Sequence, residues 1–296
     1  MNLFLGPVQL TIKFDAGIVP ELLASANFTT PLIDPTFHYS CNFYLGIAEV
    51  SSSYRLLLHG EADDPDLMPY KWQILGAEKH LLALKIDFHK PEKIQQITAL
   101  IDLKELCINV FFKRVPTSEE LHIDPLLHPL GSLLLVYFAN LTGGFLLHAS
   151  GVRDMRQGYI FSAVSGTGKS TMAKLWQQRG AELINDDRLW LHKINGQWHA
   201  LSTPMPWYAQ RPLLTPVSKI FLLRQAPTNE ITPISGIKAQ MRVMSNCIQH
   251  FHSKEMTEAH LNHVLDFTQN TPIYDCGFKP DCNIVDAIRA LAIGRF

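Results

Sequence analysis

Eight consecutive residues have the types and the spacing that bind phosphate, and they run Ala163-Val164-Ser165-Gly166-Thr167-Gly168-Lys169-Ser170. We call this stretch the glycine-rich loop. It fits the pattern small-x-x-x-x-Gly-Lys-Ser/Thr, with alanine in place of the usual first glycine. In such a loop, successive backbone N–H groups point at phosphate oxygens, a lysine adds positive charge, and a hydroxyl can bind Mg²⁺. The pattern therefore predicts a phosphate site formed by Ser165, Gly166, Thr167, Gly168, Lys169, Ser170 and Thr171.

The elements around the glycine-rich loop favour this interpretation. Tyr159 to Val164 has the apolar content of a buried strand. Lys169 to Arg179 has helical spacing, with apolar residues at Met172, Leu175 and Trp176, and Gly180 is a stop signal. A strand, a glycine-rich turn and a helix in this order are the context in which such a pattern binds phosphate.

Two adjacent carboxylates, Asp186 and Asp187, follow the predicted short strand Ala181 to Asn185. In open α/β sheets, ligands bind at the carboxyl ends of strands. One carboxylate can face a metal ion while the other takes a proton from an acceptor. Neighbours on a strand point to opposite faces, so the two share a site only if the strand ends there.

The run from His148 to Asp187 resembles the catalytic core of the HPr kinase/phosphorylase family. The matching residues are His148 at a small-residue strand end, the glycine-rich loop, Gln178-Arg179-Gly180 after the helix, and Asp186-Asp187-Arg188. The family has a fold similar to that of ATP-dependent phosphoenolpyruvate carboxykinases. The resemblance covers about 40 residues. It implies an α/β fold whose C-terminal part is a mixed-sheet P-loop domain.

The resemblance also implies roles and cofactors. ATP and Mg²⁺ would be the cofactors, with Lys169 and the loop amides on the phosphates. Ser170 and Asp187 would be on the Mg²⁺ side, and Asp186 would be the base toward an acceptor hydroxyl, with His148 nearby. The division of roles between the two aspartates stays open.

One part of the family's pattern is missing. The family's later Glu-x-Arg segment has no clear counterpart between Leu189 and Leu223. The chain instead has Thr203-Pro204-Met205-Pro206-Trp207 followed by Arg211-Pro212, which resembles smaller HPr-kinase-like proteins thought to act beside peptide-modification systems. Arg211 is a candidate phosphate clamp or a surface arginine, and Trp207 is predicted to pack.

Composition excludes several classes of protein. The 296 residues are 47% hydrophobic and 18% charged, which is typical of a globular chain. A net charge of −1 without a clustered basic face argues against a nucleic-acid partner. Five cysteines without a Cys-x-x-Cys pair argue against a zinc site or disulfides. With no evident signal peptide, these features predict a cytoplasmic protein.

The stretch Pro125 to Val152 contains no Asp, Glu, Lys or Arg and is long enough to span a bilayer. It is interrupted by Pro129, Asn140 and Gly143-Gly144. A buried helix from Leu130 to Asn140 and a buried strand from Phe145 to Ala149 fit these interruptions better, and we therefore expect no membrane span.

Two domains are predicted, a β-rich N-terminal domain at 1–124 and a P-loop kinase-like domain at 125–296. The five predicted N-terminal strands run Val8 to Phe14, Tyr39 to Val50, Tyr54 to Leu58, Leu81 to Phe88 and Leu106 to Arg114. No catalytic group of residues stands out among them. In the second domain, Asn195-Gly196 predicts a β-hairpin between Arg188 to Ile194 and Gln197 to Thr203, so the sheet there should be mixed. Gly236 to Phe251 is predicted to be a helix and Ile273 to Phe278 a strand.

The sequence therefore predicts an ATP- and Mg-dependent kinase that transfers a phosphoryl group to a hydroxyl, that of a serine in a protein or peptide acceptor. Two other functions stay open at this point. One is a small-molecule enzyme of the carboxykinase type, and the other is a nucleotide-binding regulatory module without catalysis. Homo-oligomerisation is also left open.

Overall fold

Strands dominate the first half of the chain, and strands mixed with helices make up the second. The computed structural model describes residues 1–62, 68–205 and 211–293, and these contain five helices and several β-sheets. The predicted α/β class is confirmed. Residues 206–210, which include Trp207, lie outside the described ranges.

The chain divides into two units. The first contains Met1–Leu134 together with a short segment that begins at Pro204. The second contains Leu135–Thr203 and the chain from Arg211 onward. The second unit thus holds the glycine-rich loop and both aspartates.

The first unit is built on ten strands. They are β1 (Asn2–Leu5), β2 (Val8–Phe14), β3 (Ile18–Pro20), β4 (Phe37–Leu45), β5 (Arg55–Ala62), β6 (Tyr70–Gly76), β7 (Leu81–Phe88), β8 (Ile94–Asp102), β9 (Cys107–Arg114) and β10 (Leu121–Ile123). Eight of them form one mixed sheet in the order β1-β2-β4-β9-β8-β7-β6-β5, while β3 and β10 pair separately. Alternation sets the buried face, as in β2, where Val8, Leu10 and Ile12 are buried.

The remaining helices and strands follow in chain order. They are α1 (Leu130–Leu141), β11 (Phe145–Asp154), β12 (Gln157–Ser162), α2 (Lys169–Gln178), β13 (Glu182–Asn185), β14 (Arg188–Ile194), β15 (Gln197–Leu201), β16 (Leu214–Gln225), β17 (Glu230–Ile234), α3 (Gly236–Met244), β18 (Cys247–Ile248), α4 (Lys254–Asn270), β19 (Ile273–Phe278) and α5 (Asn283–Ile293). The charge-free stretch is therefore a helix followed by a strand, as predicted. No helix in the three described ranges is both long enough and apolar enough to cross a membrane.

A nine-stranded sheet organises the second unit in the order β12-β11-β14-β15-β16-β19-β17, with β13 and β18 also paired to β11. The long strand β11 changes partners at its middle. Its first half, up to His148, pairs with β14 and β18, and its second half, from Ala149, pairs with β12 and β13. The carboxyl ends of β12 and β13 therefore both lie beside the point where β11 changes partners.

Helix α2 begins at Lys169, within the glycine-rich loop, and buries its apolar face against the sheet. Met172 and Trp176 are fully buried, and the Trp176 ring stacks on Tyr159 of β12 with 4.8 Å between ring centroids. Gly180 follows the helix with φ of 85°, a left-handed conformation that glycine adopts without strain. Burial thus fixes the direction in which the loop delivers Lys169 and Ser170.

The predicted hairpin is present between β14 and β15. Asn195 and Gly196 have φ of 50° and 82°, which is the pair of positive values that a two-residue turn of this kind requires. The hairpin brings β15 next to β14, and so places Ser202 and Thr203 beside the end of β13.

Candidate active site

One cavity of about 340 Å³ contains most of the residues that the sequence singled out. Its lining residues come from β11, from the glycine-rich loop with the start of α2, and from the turn after β13. They are His148, Ser165, Gly166, Gly168, Lys169, Ser170, Thr171, Asp186 and Asp187. Thr167, also predicted, lines a neighbouring cavity.

The glycine-rich loop has a backbone shape that requires its glycines. Gly166 and Gly168 have φ of 76° and 115°, in the left-handed region that side chains other than glycine rarely adopt. A Cβ on Gly168 would lie 2.8 Å from the ring of Phe278, at the end of β19. The backbone of the loop therefore packs directly against β19, and no larger residue fits at position 168.

Lys169 is held inside the loop. Its Nζ donates hydrogen bonds to the carbonyl oxygens of Ala163 at 3.0 Å and Val164 at 3.3 Å. Burial lowers the pKa of Lys169, while the nearby carboxylates of Asp187 and Asp186 raise it. The ammonium group is thus directed at the loop, with two acidic groups close enough to act on it.

Asp186 faces the Ser170 hydroxyl. The two side chains are hydrogen-bonded, with the hydroxyl as donor to the carboxylate. Burial raises the pKa of Asp186, although the Ser170 hydrogen bond and the positive charges of Lys174 and Lys169 oppose this rise. A hydroxyl and a carboxylate next to a phosphate-binding loop are the groups that hold Mg²⁺ together with phosphate.

Asp187 faces the other way, toward His148 and Arg188. His148 Nε2 lies 3.4 Å from Asp187 Oδ1, and Arg188 Nε lies 3.0 Å from Asp187 Oδ2. Burial lowers the pKa of His148, and the positive charges of Lys169 and Arg188 lower it further. Asp187 raises that pKa but does not overcome burial. His148 is therefore a neutral imidazole near pH 7, able to accept a proton.

The position of His148 follows from the partner change of β11. Its backbone N–H donates to Asn246 O at 2.8 Å, and the next residue, Ala149, donates to Asp187 O at 3.1 Å. The turn that carries Asp187 is therefore joined to β11, next to His148, by a main-chain hydrogen bond. The distance between the two side chains depends little on loop conformation.

The structure also identifies a residue that the sequence analysis did not assign to the site. Asn185, the last residue of β13, is fully buried, and its Oδ1 accepts the backbone N–H groups of Asp186 at 2.7 Å and Asp187 at 3.2 Å. Asparagine commonly closes a turn in this way. The Asn-Asp-Asp sequence after a strand is the signal that could have indicated this role.

The donor set fits Mg²⁺ only together with a phosphate ligand. In the part of the chain that the structure describes, no group of three or more His, Cys, Asp or Glu side chains could hold a metal ion. Mg²⁺ usually keeps several waters and is bound by one or two carboxylates plus substrate phosphates. Ser170 and Asp186 could supply the protein's share of such a site.

A second cavity, of about 570 Å³, adjoins the first across the glycine-rich loop. Gly166, Gly168 and Thr171 line both cavities. The remaining lining residues of the second cavity are uncharged, namely Thr167, Gln225, Ala226, Pro227, Phe278 and Pro280. The loop therefore separates a polar cavity with charged groups from a larger, less polar one.

Arg211 is not brought into this group. Arg211 is exposed and is not among the described residues that line either cavity. Its predicted role as a phosphate clamp stays a prediction. The packing predicted for Trp207 concerns a residue outside the described ranges.

No protein-family model matches the chain, and no curated protein matches it. Among solved structures, the chain is similar to the Hpr(Ser) kinase/phosphatase from Coxiella burnetii, with 12% sequence identity and a TM-score of 0.30. The matched region covers 50% of this chain and 99% of the Coxiella burnetii chain. A likeness with so low a TM-score carries no argument about function.

Proposed function

We propose that this protein is an ATP- and Mg-dependent kinase that transfers the γ-phosphoryl group to a hydroxyl. A single observation carries the proposal: one cavity contains both Lys169 and Ser170 of the glycine-rich loop and the pair His148 and Asp187. Phosphoryl transfer needs little more than a phosphate cradle, a metal site and a group that orients or deprotonates the acceptor.

The contacts support a division of roles opposite to the one that the family resemblance implied. Asp186, bonded to Ser170, is the carboxylate on the metal side. Mg²⁺ held by these two residues would neutralise charge on the phosphates. Lys169 exchanges its hydrogen bonds to Ala163 and Val164 for phosphate oxygens.

Asp187 and His148 then form the acceptor side. Asp187 takes the proton of the attacking hydroxyl, and the neutral His148 beside it orients the hydroxyl. Both side chains are 31% exposed, so an acceptor can reach them from solvent. Arg188 holds the second oxygen of Asp187 and so fixes the direction of the carboxylate.

The second cavity takes the nucleoside end of ATP. The loop residues that line both cavities lie between them, so a triphosphate crossing the loop leaves its ribose and base in the uncharged cavity. Its volume of about 570 Å³ lies within the usual range for a small-molecule site. The acceptor is, on the resemblance to HPr kinases, a serine of a protein or peptide.

The test combines calorimetric titration of Mg-ATP with transfer of labelled γ-phosphate. The acceptors are a serine-containing peptide library, water and small-molecule acids including oxaloacetate. Binding together with peptide phosphorylation supports the kinase. Transfer to a small molecule alone would support the carboxykinase-type enzyme, and binding without any transfer would support the regulatory module. No binding of Mg-ATP would refute the proposal.

A further inference from the structure

We infer that Asn185 and Thr203 are a pair of positioning residues that keep both aspartates in the cavity, an inference that rests on the proposed function. Consecutive residues of a strand point to opposite faces of the sheet, so Asp186 and Asp187 would separate if β13 continued. Both nevertheless line the same cavity. Something has to turn the chain at this point.

The turn is made by the Asn185 side chain. Its Oδ1 accepts the N–H groups of the next two residues, Asp186 at 2.7 Å and Asp187 at 3.2 Å. One acceptor for two successive N–H groups closes the backbone into a turn immediately after the strand. The two carboxylates can then diverge within one cavity, one toward Ser170 and the other toward His148.

Thr203 fixes which way the Asn185 amide points. Asn185 Nδ2 donates to Thr203 O at 3.0 Å and to Thr203 Oγ1 at 2.9 Å. Thr203 Oγ1 in turn donates to Arg188 O at 2.9 Å. Asn185 and Thr203 are both fully buried. With its amide hydrogens committed to Thr203, Asn185 must direct its oxygen at the two N–H groups.

Neither positioning residue lines the cavity, so both act through the aspartates. Removing the Asn185 carboxamide leaves two N–H groups without that acceptor and releases the turn. A misplacement of about 1 Å can cost about 10²-fold in rate, because transfer depends on the alignment of the reacting groups. Nucleotide binding by Lys169 and the loop amides should change much less than transfer.

The experiment compares Asn185→Ala, Asn185→Ser, Thr203→Val and Thr203→Ser with the wild type. Three quantities are measured: the Mg-ATP affinity, the single-turnover rate of transfer at saturating nucleotide, and amide hydrogen exchange at residues 186 and 187. Ser202→Ala is the matched control, because the Ser202 hydroxyl is also buried but donates to Ile184 O, at 2.6 Å, and so bonds the end of β13 and not the turn.

We expect Asn185→Ala and Thr203→Val to slow transfer about 10- to 100-fold. Asn185→Ser and Thr203→Ser should restore part of the rate, since a hydroxyl can accept the same N–H group or donate to the same carbonyl. Asn185→Ala combined with Asp187→Asn should slow transfer by less than the product of the two single effects, because Asn185 acts in part through that carboxylate. Ser202→Ala should affect thermal stability more than transfer.

Additive effects in the double variant would overturn the inference, as would wild-type transfer by Asn185→Ala or an equal loss in Ser202→Ala. If the wild type neither binds Mg-ATP nor transfers phosphate, the proposed function fails. The turn is then judged by exchange alone: the amides of Asp186 and Asp187 should exchange faster in Asn185→Ala and should stay protected in Ser202→Ala. Unchanged exchange in Asn185→Ala would refute the turn itself.

Discussion

Under the proposed function, Lys169 gives up two hydrogen bonds when it binds phosphate, those to Ala163 O and Val164 O. It gains charge-assisted bonds that are stronger. We expect Lys169→Ala to weaken Mg-ATP binding by about 1.5–3 kcal/mol, the usual range for a hydrogen bond to a charged group. Lys174→Ala, which removes an exposed lysine one turn further along α2, is the control and should have a much smaller effect. Equal affinities of Lys169→Ala and wild type would contradict the phosphate site.

Asp186 and Asp187 make different contacts, so neutralising each of them should affect Mg-ATP binding and transfer differently. Asp186→Asn should weaken Mg-ATP binding as well as transfer, because it removes the charge beside Ser170. Asp187→Asn should leave Mg-ATP binding nearly intact and slow transfer by about 10²–10⁴-fold, as expected for a base that acts only in the transition state.

The measurements that separate the two aspartates are titration of each variant with ATP in Mg²⁺ and in EDTA, and single-turnover transfer. If Asp187→Asn abolishes the Mg²⁺ dependence of ATP binding and Asp186→Asn spares it, the division implied by the family resemblance is right and ours is wrong.

His260 of α4 makes the second unit sensitive to acid. The residue is 1% exposed, and neither ring nitrogen has a hydrogen-bond partner among the described residues. Burial, together with a smaller effect of the neighbouring His263, lowers the pKa of His260 from 6.5 to about 4. The folded state thus binds this proton less readily than the unfolded state does, so stability is unaffected above pH 6.5 and falls as the pH drops from 6.5 toward 4.

The loss from His260 should reach about 3 kcal/mol near pH 4, at 1.36 kcal/mol per pKa unit. His260→Phe should remove this part of the pH dependence, while His38→Phe, at an exposed histidine of β4, should not. Urea unfolding at pH 7.5 and pH 5 measures the difference. A pH dependence that survives unchanged in His260→Phe would show that other groups cause it.

At the scale of elements, one arginine of α5 contacts helix α2. Arg289 of α5 donates two hydrogen bonds to the buried Asp154, at 2.8 and 2.9 Å, and one to Arg179 O at 3.1 Å. Its guanidinium lies 5.4 Å from the centroid of the Trp176 ring. This one side chain therefore contacts the end of β11, the end of α2 and the aromatic face of α2.

We expect Arg289→Met to destabilise the second unit by about 2–4 kcal/mol, because it leaves the carboxylate of Asp154 buried without its cation. Arg179→Met is the matched control. The ion pair of Arg179 with Asp286 is about half exposed, and such pairs contribute less than about 1 kcal/mol. Hydrogen exchange of α5 and α2 measures both variants. Equal effects of the two substitutions would contradict the role of Asp154.

The sequence predicted those elements whose pattern was local. β2, β7, β14 and β19 have the predicted bounds, and α2 begins at the predicted residue, because alternation or helical spacing is continuous across each. Strands β6 and β8 were not predicted. Strand β6 does carry a local signal, since Tyr70, Trp72 and Ile74 alternate with the polar Lys71 and Gln73. Strand β17 contains Pro233. An edge strand tolerates proline, but the proline interrupts the sequence pattern from which a strand is predicted.

Helix α3 shows the opposite error. It was predicted to continue to Phe251 but ends at Met244, because the chain then pairs with β11 as β18. Long-range strand pairing of this kind leaves no local signal.

The candidate site was predictable in its residue types but not in its contacts. The glycine-rich loop and the Asp-Asp pair are short motifs whose chemistry depends on spacing alone. Which carboxylate meets Ser170 and which meets His148 depends on the turn made by Asn185, and on a threonine 18 residues away that β14 and β15 bring back. The periodicity of apolar residues along the chain cannot reveal a contact between two residues so far apart in sequence.

At the scale of the whole molecule, nucleotide should stabilise the second unit selectively. All residues that line the two cavities belong to that unit. A ligand at 100 times its dissociation constant adds about 2.7 kcal/mol to the stability of the state that binds it. We expect Mg-ATP to slow hydrogen exchange in α2, β12 and β13, while β7 and β8 of the first unit act as an internal control. Equal slowing in both units would argue against a site confined to the second.

The close packing of Gly168 on Phe278 has a consequence for how quickly a nucleotide is captured. Because the loop backbone packs against β19, we expect nucleotide binding to require no rearrangement of the loop beyond rotation of one lysine side chain. Side-chain rotations are complete within nanoseconds, far faster than a diffusional encounter. In a stopped-flow experiment, the observed rate should therefore rise linearly with nucleotide concentration and reach no plateau. Phe278→Ala removes the surface that shapes the loop, and its rate should level off as loop ordering becomes the slow step.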